Sequence, residues 1–349
     1  MNIKNIKSRL VLGIASFLFL ASFDSASALT ISPVRIEVSG DPGTTISKDI
    51  TLFNDSKTTD ETYYVTYSNF ESQGESGSPL FVEPKGDLGT WITSEKVITL
   101  KAGESRTVSF SITVPRDAYS GGHFAAIFFG NNPGDGGQVS VGAKTGTLLL
   151  LTVTGDVLEA GGLSSFSTKD GKKVFNSLPV SMEYRFKNDG NDRVKPAGEV
   201  TVRNMFYYPV AKIDANSVAG NILPHSTRLF SGIEWTKSIP GAKDVIPTAF
   251  MDVVKYQWSN FAMGPYMAHL DLAYGSDMNH TVKNIFFFVL PWQLMIVILV
   301  ILMIVFFIGR KMLKSYNKSI IERARMMGVP SAPTPTPNEA AHAEETPQN

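Results

Sequence analysis

Thr107-Val108-Ser109-Phe110-Ser111-Ile112-Thr113-Val114 alternates without a break, apolar side chains at the even positions and hydroxyl side chains at the odd ones. A period of two describes an extended strand with one face in a core and the other in water. The same pattern recurs upstream, where Tyr63, Val65 and Tyr67 oppose Tyr64 and Thr66, and downstream in Val180-Ser181-Met182-Glu183-Tyr184-Arg185-Phe186. Between such runs lie residues with turn chemistry: Asp41-Pro42-Gly43, Asn54-Asp55-Ser56, Lys101-Ala102-Gly103-Glu104 and Asn188-Asp189-Gly190-Asn191. Short strands at this spacing, with no helical period between them, predict antiparallel β-sandwiches.

Working outward, the chain divides into a first sandwich over 29–158 and a second over 159–282. Gly198 to Val202 and Ala268 to Leu272 supply further strands of the second. Within it, Phe250, Val254, Trp258 and Phe261 recur at helical spacing, which predicts an amphipathic helix in an insertion over 236–262. Its stripe is expected to pack on its own sandwich, the alternative being a face turned to a partner or a membrane. The fold class expected is therefore an all-β ectodomain of two immunoglobulin-like sandwiches, followed by a single transmembrane helix.

The ends carry targeting information. Lys4, Lys7 and Arg9 precede the apolar run Leu10 to Ala21, and Ala26-Ser27-Ala28 offers small residues for cleavage, so 1–28 reads as a signal peptide. A second apolar run spans 285–309 with no charged residue, and Gln293 is its one strongly polar side chain. About 20 apolar residues make about 30 Å of helix, the thickness of a bilayer's hydrocarbon. Arg310, Lys311, Lys314 and Lys318 follow at once, and such a basic end stays in the cytoplasm. The expected location is the cell membrane, crossed once, with the ectodomain outside. Residues 310–349 read as a basic juxtamembrane segment and a Pro-rich, disordered tail.

Composition narrows the function classes. Formal net charge over the 349 residues is zero, but 29–309 carries −4, which leaves no electrostatic footprint for nucleic acid. With no cysteine, there is no disulfide, thiolate metal site or cysteine nucleophile. His123, His225, His269 and His280 are scattered singly and lack metal-ligand spacing. Asp135, in the glycine-rich run after Asn132, lacks the acidic neighbours that a calcium loop needs. No phosphate-cradling loop or nucleophile elbow is present. We expect no catalytic residue, no cofactor and no metal, and the sequence leaves the ligand-binding residues unknown. Trp91 and Trp235 read as core anchors. Gly121 and Gly122 read as sites of unusual backbone angles or close approach, and Arg228 as a donor to carbonyls at a sheet edge.

Several stretches fall in a familiar order: Leu29 to Val38, Asn54-Asp55-Ser56, Trp91-Ile92, Leu100 to Glu104, Val114 to Ala118, and Gly121 to Ile127. That order resembles the peptidoglycan-binding, immunoglobulin-like domain of the WxL-interacting protein family. Asn221-Ile222-Leu223-Pro224, Thr227 to Phe230, Trp235 and Gly264-Pro265-Tyr266 look like the second sandwich of such surface proteins. The resemblance implies a membrane-anchored surface scaffold or adhesion protein, not an enzyme, that contacts peptidoglycan and other exported surface proteins. Open sheet edges suit capture of an exported partner by strand addition. A tethered extracytoplasmic chaperone of pilus-chaperone type is the alternative, in which Arg185, Arg193 or Arg228 would serve as the basic cleft residue, with nothing in the sequence to choose among them. A membrane-coupled sensor is a third reading.

Overall fold

The computed structural model describes residues 29–132, 144–237 and 247–326. The expected signal peptide over 1–28, the glycine-rich run with Asp135 and the Pro-rich tail from residue 327 lie outside the described residues.

The first sandwich is built from β1 (Leu29–Ser32), β2 (Arg35–Gly40), β3 (Thr45–Asn54), β4 (Glu61–Gln73), β5 (Ser78–Val82), β6 (Ile92–Ser94), β7 (Val97–Leu100), β8 (Ser105–Thr113), β9 (Gly121–Gly130) and β10 (Lys144–Val153). A four-residue helix, α1 (Leu88–Trp91), precedes β6. One sheet has the order β1-β3-β8-β6, and the other β2-β10-β9-β4-β5 with β7 also on β4. β1 pairs antiparallel with β3, whereas β2 pairs parallel with β10. The chain changes sheets between them at Pro33, whose missing N–H ends the first ladder.

The alternation of Thr107 to Val114 decides the packing. Val108, Phe110, Ile112 and Val114 are buried with Ile50, Leu52, Ile98, Leu100, Leu149 and Leu151 in a single core. The hydroxyl positions face outward, where Thr107 meets Thr51 and Ser109 donates to Asp49.

The second sandwich comprises β11 (Gly161–Thr168), β12 (Val174–Phe175), β13 (Val180–Asn188), β14 (Ala197–Asn204), β15 (Pro209–Asp214), β16 (Thr227–Trp235), β17 (Gly264–Tyr274) and β18 (Asn279–Val289). Its sheets run β11-β13-β16 and β12-β18-β17-β14-β15. Tyr184, Phe186, Val200, Val202, Leu270 and Trp235 lie in its interior, each at most 2% exposed.

Both sandwiches are closed by the same device. Asn54 and Asn188 end β3 and β13, and both are fully buried. The Asn54 amide donates to the carbonyls of Thr59 and Lys101 at 2.9 and 3.0 Å, and its oxygen accepts from Ser56 N. The Asn188 amide donates to Asp192 and Ile222 carbonyls at 2.7 and 2.9 Å, and its oxygen accepts from Gly190 N. A buried amide with all its groups satisfied holds a loop that main-chain bonds alone would leave open.

The chain forms two compact units, one holding both sandwiches up to Phe288 except 175–178, and the other holding 175–178, 237–263 and 289 onward. The second contains α2 (Phe250–Ser259) and α3 (Trp292–Met326). Helix α3 is the one described helix long and apolar enough to cross a membrane, and its most apolar 18 residues have a mean hydropathy of 2.8. Two expectations change here. The span expected from Ile285 begins later, because Ile285–Val289 complete β18 and the helix starts at Trp292. Alternation in Asn284 to Val289 hides within the apolar run, and Pro291 marks the true break. Helix α2 belongs with α3 rather than with the second sandwich. Only Val254 of its expected stripe is buried; Phe250, Trp258 and Phe261 are exposed.

Replacing fully buried Ile112 with alanine should cost about 2–5 kcal/mol in denaturant unfolding. Replacing exposed Thr107 with alanine should cost less than about 0.5 kcal/mol.

Candidate functional site: the groove between the sandwiches

β9 departs from simple alternation. His123, Ala125, Ile127 and Phe129 point into the first sandwich, while Phe124, Ala126 and Phe128 occupy the opposite face, and nearly the whole strand is buried. A strand apolar at both parities needs cover on both sides. The second cover is a smaller cluster in which Phe70, Phe124 and Leu150 pack with Leu148 and with Leu223 of the second sandwich. Phe70 lies 5.7 Å from the Phe124 ring and 6.1 Å from Phe81, which meets Phe128 at 4.8 Å. Phe70 and Phe124 floor a groove between the two sandwiches.

Asn191, at the end of the Asn188 turn, sets the groove. Its carbonyl accepts from Gly122 N at 2.9 Å. Its side chain accepts from Leu158 N at 2.7 Å and donates to the Asp156 and Ser120 carbonyls. Gly121 has φ +117°, and a Cβ there would stand 2.4 Å from the Asn191 carbonyl oxygen. Only glycine permits both the angle and the approach. Next to it, Thr152 donates to Asp192 at 2.6 Å and accepts from Arg193 at 2.7 Å. Arg193 also reaches Glu37 at 3.5 Å. Glu37 accepts from Asn221 at 3.1 Å and pairs with Arg35 at 3.2 Å. Burial pushes the Glu37 carboxyl up, but the Asn221 hydrogen bond and the charges of Arg193, Arg35 and Lys195 outweigh it and hold its pKa below the ordinary value.

Arg228 occupies a built slot. The tip of the β4–β5 hairpin crosses to β16, where Glu75 O accepts from Leu229 N at 2.8 Å and the Glu75 carboxylate pairs with Arg185 at 2.7 Å. That places Gly77 on one side of the Arg228 guanidinium and Gly220 near it as well. A Cβ would approach Arg228 Cζ to 2.3 Å at Gly77 and 2.8 Å at Gly220. Arg228 also sits 5.1 Å from the Phe230 ring centroid and donates through Nη1 to Asn221 O at 2.8 Å. Its Nε is buried without a partner, as is the side-chain oxygen of Asn221. Burial lowers the Arg228 pKa from its ordinary value, and neighbouring Arg35 acts in the same direction.

Two hollows meet along the groove and share Phe70, Ser72, Leu223 and Ser226. The smaller, about 250 Å³, is lined by Arg35 and Arg228 and by no acidic residue. The larger, about 710 Å³, is bordered by Glu71, Glu83 and Asp87. The groove is thus apolar along its floor, cationic at one end and acidic at the other.

The three arginines that the sequence offered as alternatives have separate fates. Arg185 is committed to Glu75, and Arg193 to the Glu37–Asp192–Thr152 network, while Arg228 has no ion pair among the described residues. Arg228 does donate to a carbonyl, as the sequence led us to expect, beside β16 at the edge of its sheet. Trp235 is a core residue, stacked edge-on with Tyr266 at 4.6 Å, whereas Trp91 is only partly buried. His123 is buried beneath the larger hollow. Its ring nitrogens lie 2.6 Å from Asp87 Oδ1 and 2.9 Å from Tyr119 O, with the Trp91 and Tyr119 rings on either side. The same Asp87 caps α1 through Leu88 N. Burial and the nearby Asp87 carboxylate raise the Tyr119 pKa. Among the described residues no group of three or more His, Asp and Glu side chains is placed to hold a metal. Arg35, Glu37 and Phe70 were not singled out in the sequence, and Asn221 entered only as part of the stretch Asn221 to Pro224. Their only signal was a charged pair in a short strand after Pro33 and a phenylalanine on the wrong parity of β4.

No protein-family model and no curated protein matches the chain. Solved structures similar to it include the class 5 fimbriae chaperone CfaA, at 12% identity and a TM-score of 0.37, covering 74% of this chain and 98% of that one. The E. coli chaperone DraB is 12% identical with a TM-score of 0.32, covering 75% and 97%. A Salmonella enterica SafA pilin in complex with the SafB chaperone matches at 10% identity and 0.30, covering 74% and 96%. None reaches a TM-score of 0.5, and the description of the fold rests on the chain's own sheets.

Gly121→Ala should destabilise the chain by about 1–3 kcal/mol, the range for a non-glycine residue forced into a sparsely populated backbone region, read as a lower thermal midpoint. Because the Glu37 carboxyl is held below its ordinary value, its contacts stabilise the fold above that value and lose this contribution as pH falls below it. The thermal midpoint of Glu37→Gln should therefore fall less steeply with acidification than that of the wild type.

Proposed function

We propose that the chain is a membrane-anchored, extracytoplasmic scaffold or assembly protein whose groove holds an extended, apolar, carboxylate-bearing segment of another exported protein. The observation that carries this is the Arg228 slot: a cation packed close against two glycines, its Nε and the Asn221 oxygen without partners, in a hollow without acidic residues. Buried polar groups left unsatisfied are costly, so a carboxylate that accepts from Arg228 while its apolar chain covers Phe70, Leu148 and Leu150 complements the site. Edge strand β5 flanks the groove and leaves main-chain groups for strand addition. In this reading α3 spans the membrane, and Arg310, Lys311, Lys314 and Lys318 keep its end in the cytoplasm. The protein binds rather than catalyses. Kinship with the WxL-interacting family, and with it peptidoglycan as a ligand of the first sandwich, is proposed on the sequence resemblance alone; pelleting of the purified chain with sacculi tests it.

Binding of fluorescent apolar octapeptides to the full chain in micelles tests the groove. Free-acid peptides should bind more tightly than their amides, and Arg228→Gln should weaken the free acid about ten- to a hundredfold, the worth of a charge-assisted hydrogen bond. Equal affinity of acid and amide, or no effect of Arg228→Gln, would remove the carboxylate from the proposal.

A further inference from the structure

We infer that α2 is an interfacial helix that lies on the membrane where α3 enters it, with its exposed aromatic face in the lipid headgroup and upper acyl region. This rests on the reading of α3 as the span. The two helices meet around one buried side chain. Gln257 is 1% exposed, donates to Gln293 Oε1 at 2.6 Å and accepts from Leu294 N at 3.0 Å. Leu294 N is one of the N–H groups that the first turn of a helix leaves without an intrahelical partner. Gln257 therefore caps the start of α3, and it explains Gln293, the lone polar side chain of the apolar run. The Phe250 ring adds a contact 6.4 Å from Trp292.

Fastened there, α2 has its depth fixed. The first turn of a spanning helix sits at the boundary between water and hydrocarbon, where tryptophan is preferred, and one turn rises only about 5.4 Å. At that depth α2 exposes Phe250, Met251 and Trp258, with Phe261 and Met263 following, all between 45% and 69% exposed. Asp252, Lys255 and Ser259 occupy the other exposed side. Large apolar side chains on one side, polar ones on the other and backbone groups satisfied within the helix are the attributes of a segment lying in the interface. Continuity with the span selects lipid over a protein partner. Asp252 and Lys255 balance each other in charge and lie 3.9 Å apart, so the match is to a zwitterionic surface rather than an anionic one.

The natural absence of cysteine allows a direct test in the full chain. Single nitroxide labels at Trp258→Cys, Phe261→Cys, Lys255→Cys and Ile301→Cys, all exposed positions, are read in phosphatidylcholine vesicles by collision with oxygen and with a water-soluble nickel chelate. Labels at 258 and 261 should favour oxygen over nickel several-fold relative to 255, and the label at 301 should be shielded from nickel. If 258 and 261 are as open to nickel as 255 while 301 is shielded, the interfacial helix is overturned and the span stands. If 301 is open to nickel, the span falls and the inference with it. Immobile labels at 258 and 261 that meet neither collider would show that protein covers the face, which also overturns it.

Discussion

The approach of Asn191 to Gly121 and Gly122 is the contact on which the groove depends. Two β-sandwiches joined by a few residues have no inherent reason to adopt one arrangement. Here the Asn191 carbonyl bonds Gly122 N, and its side chain bonds the linker at Asp156 and Leu158 and the carbonyl of Ser120. One residue thus ties the second sandwich to the start of β9 and to the segment that connects the two. The lack of a side chain at Gly121 is what lets the backbones come so close.

From that tie the remaining features follow. With β9 held against the second sandwich, its outward Phe124 joins Phe70 and Leu150 in the floor, and Leu223 packs against them. Glu37, Arg193, Asp192 and Thr152 then form a polar seam in which each charge has a partner. The β4–β5 hairpin reaches across to β16 and brings Gly77 against Arg228. Arg228 lies outside this seam and, among the described residues, has no counter-ion, whereas Arg193 meets both Glu37 and Asp192.

The second unit applies a similar economy at the start of its apolar helix. A polar side chain at the start of an apolar helix is costly unless paired, and Gln293 is paired with Gln257. The same glutamine satisfies the end of α3, so the one buried amide of α2 both fixes the helix and completes its neighbour.

Much of the architecture was legible in the sequence because it depends on local periods. Alternation in Thr107 to Val114 and Val180 to Phe186 fixed which side chains enter each core, and the Asn54 and Asn188 turns marked where strands end. The long apolar run marked the candidate span, although its alternating first residues belong to β18, and a period of two inside a wholly apolar stretch leaves no polar positions to reveal it. Gly121 and Gly122 announced a close approach without saying to what. The groove was decided by the tertiary structure alone. Arg35 and Arg228 are 193 positions apart, and no spacing rule links two residues that meet because separate sandwiches dock. The exposed side of α2 was hidden for a related reason: a helical stripe shows that a face is apolar, while only its packing partner determines whether Val254 or Trp258 lies inside.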